Sequence, residues 1–129
     1  PLTGAARPAG PGCFYPPTVL AGVRPDDPVL DEEVFGPVAP IVPFGTEDEA
    51  VRLANATEMG LASYVYTGDL ARGLRLSGLL DAGTVGVNRG LVSDPAAPFG
   101  GVKQSGIGRE GGHEGLLDYL ETQYVAVDW

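Results

Sequence analysis

Cysteine occurs once in this chain, at Cys13, which excludes an internal disulfide and suits a reducing compartment. Histidine is equally scarce. His113 stands alone, with no second ligand at metal-binding spacing, so no metal site is expected. Basic residues are few: eight Lys and Arg face seventeen Asp and Glu, for a net charge of -9. That balance argues against nucleic acid or an anionic membrane surface as the main partner. No apolar run approaches the ~18 residues that a membrane span needs, and nothing resembles a signal peptide. The expected location is therefore cytoplasmic. Methionine is confined to Met59 while the chain opens on Pro1, so the sequence reads as part of a longer polypeptide.

What is abundant is glycine, with 20 residues, and proline, with 12. A chain of 129 residues fits one domain, and such a domain is expected to hide about two-thirds of its unfolded surface. Residues 1–17 read as an extended Pro/Gly/Ala-rich entry, ending in a short strand at Thr18–Leu20. Pro25–Pro28 is a turn. Val38–Phe44 has strand composition, but Pro40 and Pro43 restrict it to an edge or irregular strand. Thr46-Glu-Asp-Glu49 is a capping box, with Ala50, Val51 and Ala54 following at helical spacing and Gly60 as a stop. Leu61–Thr67 reads as a strand, Asp69–Leu80 as a second helix stopped by Gly83, and Thr84–Asn88 as a short strand. A short helix with Leu116, Leu117 and Leu120 and a strand at Thr122–Asp128 close the chain. This order implies an α/β fold with a largely parallel sheet and flanking helices.

Between the third strand and the last helix lies a loop of about twenty residues, Arg89–Gly108, and loops that long are usually functional. Gly106, Gly108 and Gly111 spell G-x-G-x-x-G. A dinucleotide cradle needs a strand before the first glycine and an acidic residue about twenty positions after the motif. Pro98–Ser105 gives no strand signal, and too little chain remains beyond Gly111. The expectation is a shaped loop in which glycine permits positive φ and close backbone approach. Lys103 and Arg109 are expected to tie it to carbonyls and carboxylates.

Three stretches then stand out in order and spacing: Phe14-Tyr-Pro-Pro-Thr18, Glu32-Glu-Val-Phe-Gly-Pro37, and Gly86-Val-Asn88 running on to Pro98-Phe-Gly-Gly-Val-Lys-Gln-Ser-Gly-Ile-Gly-Arg-Glu-Gly111. Together they closely resemble the C-terminal portion of the NAD(P)-dependent aldehyde dehydrogenase superfamily. Val87-Asn-Arg-Gly-Leu-Val-Ser93 followed by Ala97-Pro-Phe-Gly-Gly-Val-Lys-Gln-Ser105 looks most like succinate-semialdehyde dehydrogenases.

The resemblance implies that residues 1–121 are the later part of the catalytic domain and 122–129 an oligomerisation arm strand. It implies NAD or NADP as cofactor, an aldehyde substrate, and a homo-oligomer paired through Thr122–Asp128. In such enzymes a cysteine attacks the aldehyde, hydride passes to the nicotinamide, and a glutamate-activated water hydrolyses the thioester. That cysteine, that glutamate and the dinucleotide-binding half would all precede Pro1, so no catalytic residue is expected here. The chain alone is expected to be inactive, and a rival reading makes it a folded fragment acting only in subunit association.

By resemblance, Glu33 holds the nicotinamide ribose hydroxyls and Phe35 packs near the nicotinamide ring. The residue types alone leave open a solvated loop charge and a core phenylalanine. Phe99 corresponds to an aromatic lining the aldehyde tunnel, or else to a core anchor. Ser93 matches the serine that helps hold the substrate carboxylate, while Ser93-Asp-Pro95 is also a good turn sequence. Asn88 and Arg89 read as turn former and bystander, and Cys13 is no nucleophile, because it follows the position of the family's catalytic cysteine.

Overall fold

The computed structural model describes residues 1–129. They form two compact units, Pro1–Leu53 and Ala54–Trp129. The first holds β1 (Thr18–Ala21) and β2 (Val38–Ile41), paired in parallel from Thr18↔Val38 to Ala21↔Ile41. Pro40 is tolerated in β2 because β2 is an edge strand that pairs only with β1. Thr18 is almost fully buried at 2% exposure. Its hydroxyl is satisfied, accepting from the Ala5 N–H and donating to the Pro16 carbonyl, both at 2.9 Å. The Pro25 turn is closed by Asp27. Hydrogen bonding from the Arg24 backbone N–H, helped by its guanidinium, holds the Asp27 carboxyl below its ordinary pKa.

α1 (Glu47–Asn55) starts at the expected capping box, and its last two residues belong to the second unit. Thr46 Oγ1 accepts from the Glu49 N–H at 3.2 Å, while the Glu49 carboxylate reaches back to the Gly45 N–H at 2.8 Å. Three acidic residues in the first turn favour the positive end of the helix dipole.

In the second unit, β4 (Ala62–Val65) and β5 (Thr84–Val87) pair in parallel across α2 (Leu70–Ser77). Asp69 caps α2 by accepting the Arg72 N–H at 3.2 Å. Gly73, the one buried residue of α2, allows the helix onto β5: a Cβ there would lie 2.7 Å from Val87 Cγ1. β3 (Met59–Gly60) pairs antiparallel with β6 (Val102–Lys103), and α3 (Gly112–Leu117) follows.

Three expectations change. The strands form three two-stranded sheets, two parallel and one antiparallel, in place of one largely parallel sheet; β2 pairs with β1 and not with β4. The glycine-rich stretch includes β6, which its proline and glycine composition concealed. The terminal strand is not formed: residues 120–129 lie outside every regular element, because a strand exists only against a partner and this chain supplies none.

The expected core is also nearly missing. Val23 is the only buried hydrophobic residue, and no large side chain is fully buried. A compact monomer of 13.3 kDa exposes about 6,500 Å², whereas this chain exposes 10006 Å². No helix is long and apolar enough to cross a membrane.

Candidate functional site

The sequence-derived candidates fall on two segments, one in each unit. In the first, Glu33-Val-Phe-Gly-Pro37 leads directly into β2. The turn is fixed by backbone bonds from the Gly36 N–H to the Val34 carbonyl (2.9 Å) and from the Val38 N–H to the Gly36 carbonyl (2.8 Å). The Pro37 carbonyl accepts from the Thr18 N–H at 2.8 Å, which ties the segment to β1. On this frame Phe35 is 93% exposed, so it is not a core residue of the unit. Glu33 is exposed as well, and its carboxylate takes part in none of the chain's hydrogen bonds. A carboxylate able to accept from two hydroxyls and an apolar ring two residues on suit a ribose diol and a nicotinamide face. The residues present therefore fit the nicotinamide end of NAD(P).

The second segment follows β5. Asn88 has φ +53°, and its amide clamps the Thr67 backbone from both sides. Oδ1 accepts the Thr67 N–H and Nδ2 donates to the Thr67 carbonyl, each at 2.8 Å. Arg89 is spent locally, donating to the Leu91 carbonyl at 2.6 Å. Ser93 is exposed, with its hydroxyl in none of the chain's hydrogen bonds. The turn that follows is built by Asp94, whose carboxylate accepts the Ala96 N–H at 2.9 Å. The turn therefore does not use the serine side chain.

Phe99 is half-buried, with its backbone paired to Glu110 in both directions at 2.7 Å. It lines an open cleft of about 360 Å³ together with Ser105, Ile107, Arg109, Asp118 and Tyr119. Ser93 is not part of that cleft, so these two candidates are presented separately.

The glycine loop around the cleft grips its own chain. Gly106, Gly108 and Gly111 have φ of +97°, +98° and +71°. The Asp118 carboxylate accepts the Arg109 N–H at 2.7 Å, so this backbone donor of the loop is already used within the chain. Arg109 Nη1 donates to the carbonyls of Gly101 (2.9 Å) and Gly108 (2.6 Å). Gly83 and Gly100 approach so closely that a Cβ on Gly83 would collide with the Gly100 carbonyl. Lys103 Nζ donates to the carbonyls of Asn55 (3.0 Å) and Thr57 (3.1 Å) and pairs with Asp81 at 3.2 Å. Asp118 and the Asn88 clamp escaped the sequence reading. Only the short polar side chain at a strand end hinted at the second.

An exposed carboxylate and ring before β2 and a glycine loop folded onto itself sit on a frame of short α/β elements, and the chain belongs to the aldehyde dehydrogenase family, whose profile matches residues 1–125. It is 54% identical over 126 residues to a succinate-semialdehyde dehydrogenase of Paenarthrobacter nicotinovorans, covering 98% of this chain and 28% of that protein. It is 53% identical over 126 residues to a 3-sulfolactaldehyde dehydrogenase of Pseudomonas putida, covering 98% and 26%. An aldehyde dehydrogenase of Mycobacterium tuberculosis, solved with NAD+, superposes with a TM-score of 0.85 at 40% identity, over 97% of this chain and 28% of that one. The chain thus spans about a quarter of the length of the relatives it matches.

Proposed function

We propose that this chain forms the late catalytic-domain part of an NAD(P)-dependent aldehyde dehydrogenase whose substrate is an aldehyde with an anionic far end, succinate semialdehyde foremost. The observation that carries the cofactor reading is the free Glu33 carboxylate beside a 93% exposed Phe35 on a backbone fixed to β1. Glu33 accepts the two ribose hydroxyls, and Phe35 lays its face against the ring. When bound, the nicotinamide supplies the hydride acceptor. Holding the ring in one orientation limits the geometries from which transfer starts, the kind of restraint that lowers a barrier by positioning.

The substrate reading rests on Ser93 and on two relatives. Both are named for aldehydes with an anionic group at the other end, a carboxylate in one and a sulfonate in the other. A hydroxyl without a partner in its own chain suits such an oxyanion, since hydrogen bonds to charged groups are the stronger kind. Phe99 lines the aldehyde path in the full-length enzyme; within this chain its cleft does not include Ser93. Pairing of Thr122–Asp128 with the edge of another copy would give that segment the ladder it lacks here, which makes a homo-oligomer the expected assembly.

The test uses the full-length enzyme carrying this segment. Succinate semialdehyde should support NAD(P)H formation with a higher kcat/KM than butanal. Ser93→Ala should lower the ratio of the two kcat/KM values about ten- to a hundredfold, the loss of about 1.5–3 kcal/mol from one hydrogen bond to a charge. An unchanged ratio would remove Ser93 from recognition and leave a broader aldehyde specificity.

A further inference from the structure

Asn88 sits one residue beyond the β4–β5 ladder, which ends at Val65↔Val87. Its own N–H still bonds to the Val65 carbonyl at 2.8 Å, and then its backbone swings to φ +53°. An asparagine that only forms a turn bonds its own backbone about two residues on. Here the amide crosses to Thr67, 21 positions earlier, and makes both bonds at 2.8 Å. The side chain thus adds a rung to the parallel ladder at the point where the backbones part.

A second feature fixes the path from there. Gly86 is buried, and a Cβ on it would lie 2.8 Å from Val92 Cγ1 and 3.0 Å from the Arg89 carbonyl. Residues 89–92 therefore fold back over β5, with Val92 seated where Gly86 has no side chain. Ser93 follows immediately. Clamp and seat together hold both ends of a four-residue excursion.

We infer that Asn88 is a positioning residue for substrate selection: its clamp on Thr67 sets the direction in which residues 89–92 leave β5, and so where Ser93 presents its hydroxyl to the acid end of the aldehyde. The inference rests on the Ser93 reading above and deepens it. Both polar atoms of the Asn88 amide are spent on Thr67, so the residue acts through the loop. A hydroxyl misplaced by about 1 Å loses much of a hydrogen bond's directionality, so the effect falls on recognition of the acid end.

The experiment compares Asn88→Gly, Asn88→Asp and Ser93→Ala in the full-length enzyme, with succinate semialdehyde and butanal as substrates. Asn88→Gly keeps access to positive φ but deletes the clamp; Asn88→Asp keeps the acceptor for the Thr67 N–H and loses the donor. The expected result is a roughly tenfold fall in the acid-to-neutral kcat/KM ratio for Asn88→Gly, carried by KM for the semialdehyde. Asn88→Asp, which sets a carboxylate oxygen against the Thr67 carbonyl, should fall at least as far. Hydrogen exchange should quicken at Thr67 and across 89–93 in Asn88→Gly. Wild-type exchange there would overturn the inference whatever the kinetics. So would equal losses of kcat on both substrates with KM unchanged, the mark of a stability role. If exchange quickens and the ratio holds, the inference also falls, and Ser93→Ala then says why. A lowered ratio in that variant leaves the Ser93 reading standing; an unchanged one removes both.

Discussion

A phenylalanine ring left in water forgoes about 2 kcal/mol that burial would return, so the 93% exposed Phe35 does nothing to stabilise this chain. Its value must come from what it meets. Glu33 and Phe35 can be singled out in the sequence because their segment is contiguous and needs no knowledge of packing to be seen. Asn88 and Asp118 cannot, because their partners lie 21 and nine positions away and only the folded chain joins them. The role proposed for Glu33 has a direct consequence. In the full-length enzyme, Glu33→Gln removes a charge from the ribose contact while leaving volume and backbone intact. Loss of a charge-assisted acceptor, about 1.5–3 kcal/mol, should appear as a ten- to hundredfold slower hydride-transfer step in single-turnover kinetics. The melting temperature without cofactor should not move. Wild-type single-turnover rates would return Glu33 to an ordinary loop charge.

At the scale of elements, the local signals transferred well. The Thr46 capping box and the βαβ order of β4, α2 and β5 follow from spacing and side-chain chemistry over a few residues. Strand partners did not transfer, since periodicity tells which residues can form a strand and is silent on which edge they join. β6 shows the difference: two residues in a glycine-rich stretch become a strand because β3 receives them and because Lys103 bridges to the end of α1. Lys103 spends its ammonium on the carbonyls of Asn55 and Thr57 and on Asp81. Its side chain is 27% exposed, which discounts the ion pair. Lys103→Met in the full-length enzyme should cost about 1 kcal/mol, mostly from the two carbonyl bonds. Asp81→Asn should cost less than half as much. Equal losses in urea titrations would show that the ion pair, and not the capped helix end, holds the loop.

The whole molecule is where composition misled, and the reason is area. A chain with 43% hydrophobic residues has the material for a core, yet 10006 Å² stays exposed, against about 6,500 Å² for a compact monomer of its mass. Leu70 and Leu74 on α2, Tyr119, Tyr124 and Trp129 toward the terminus all lie more than half in water. Sequence patterning marks a residue as one to be buried and does not say which polypeptide buries it. The excess, about 3,500 Å², is larger than a standard protein–protein interface. It therefore calls for cover by the kind of extensive, mostly apolar contact found within one domain or an obligate oligomer. Purified alone, the 129 residues should bind a hydrophobic dye such as ANS, melt without a sharp cooperative transition and sediment as aggregate. They should form no NAD(P)H from succinate semialdehyde with either cofactor. Adding the remainder of an aldehyde dehydrogenase polypeptide in trans should reduce dye binding if the exposed face is a domain core cut open. A monomer with a sharp melt and little dye binding would mean that these apolar faces cover one another in solution, and the reading of this surface as half of an interface would fail.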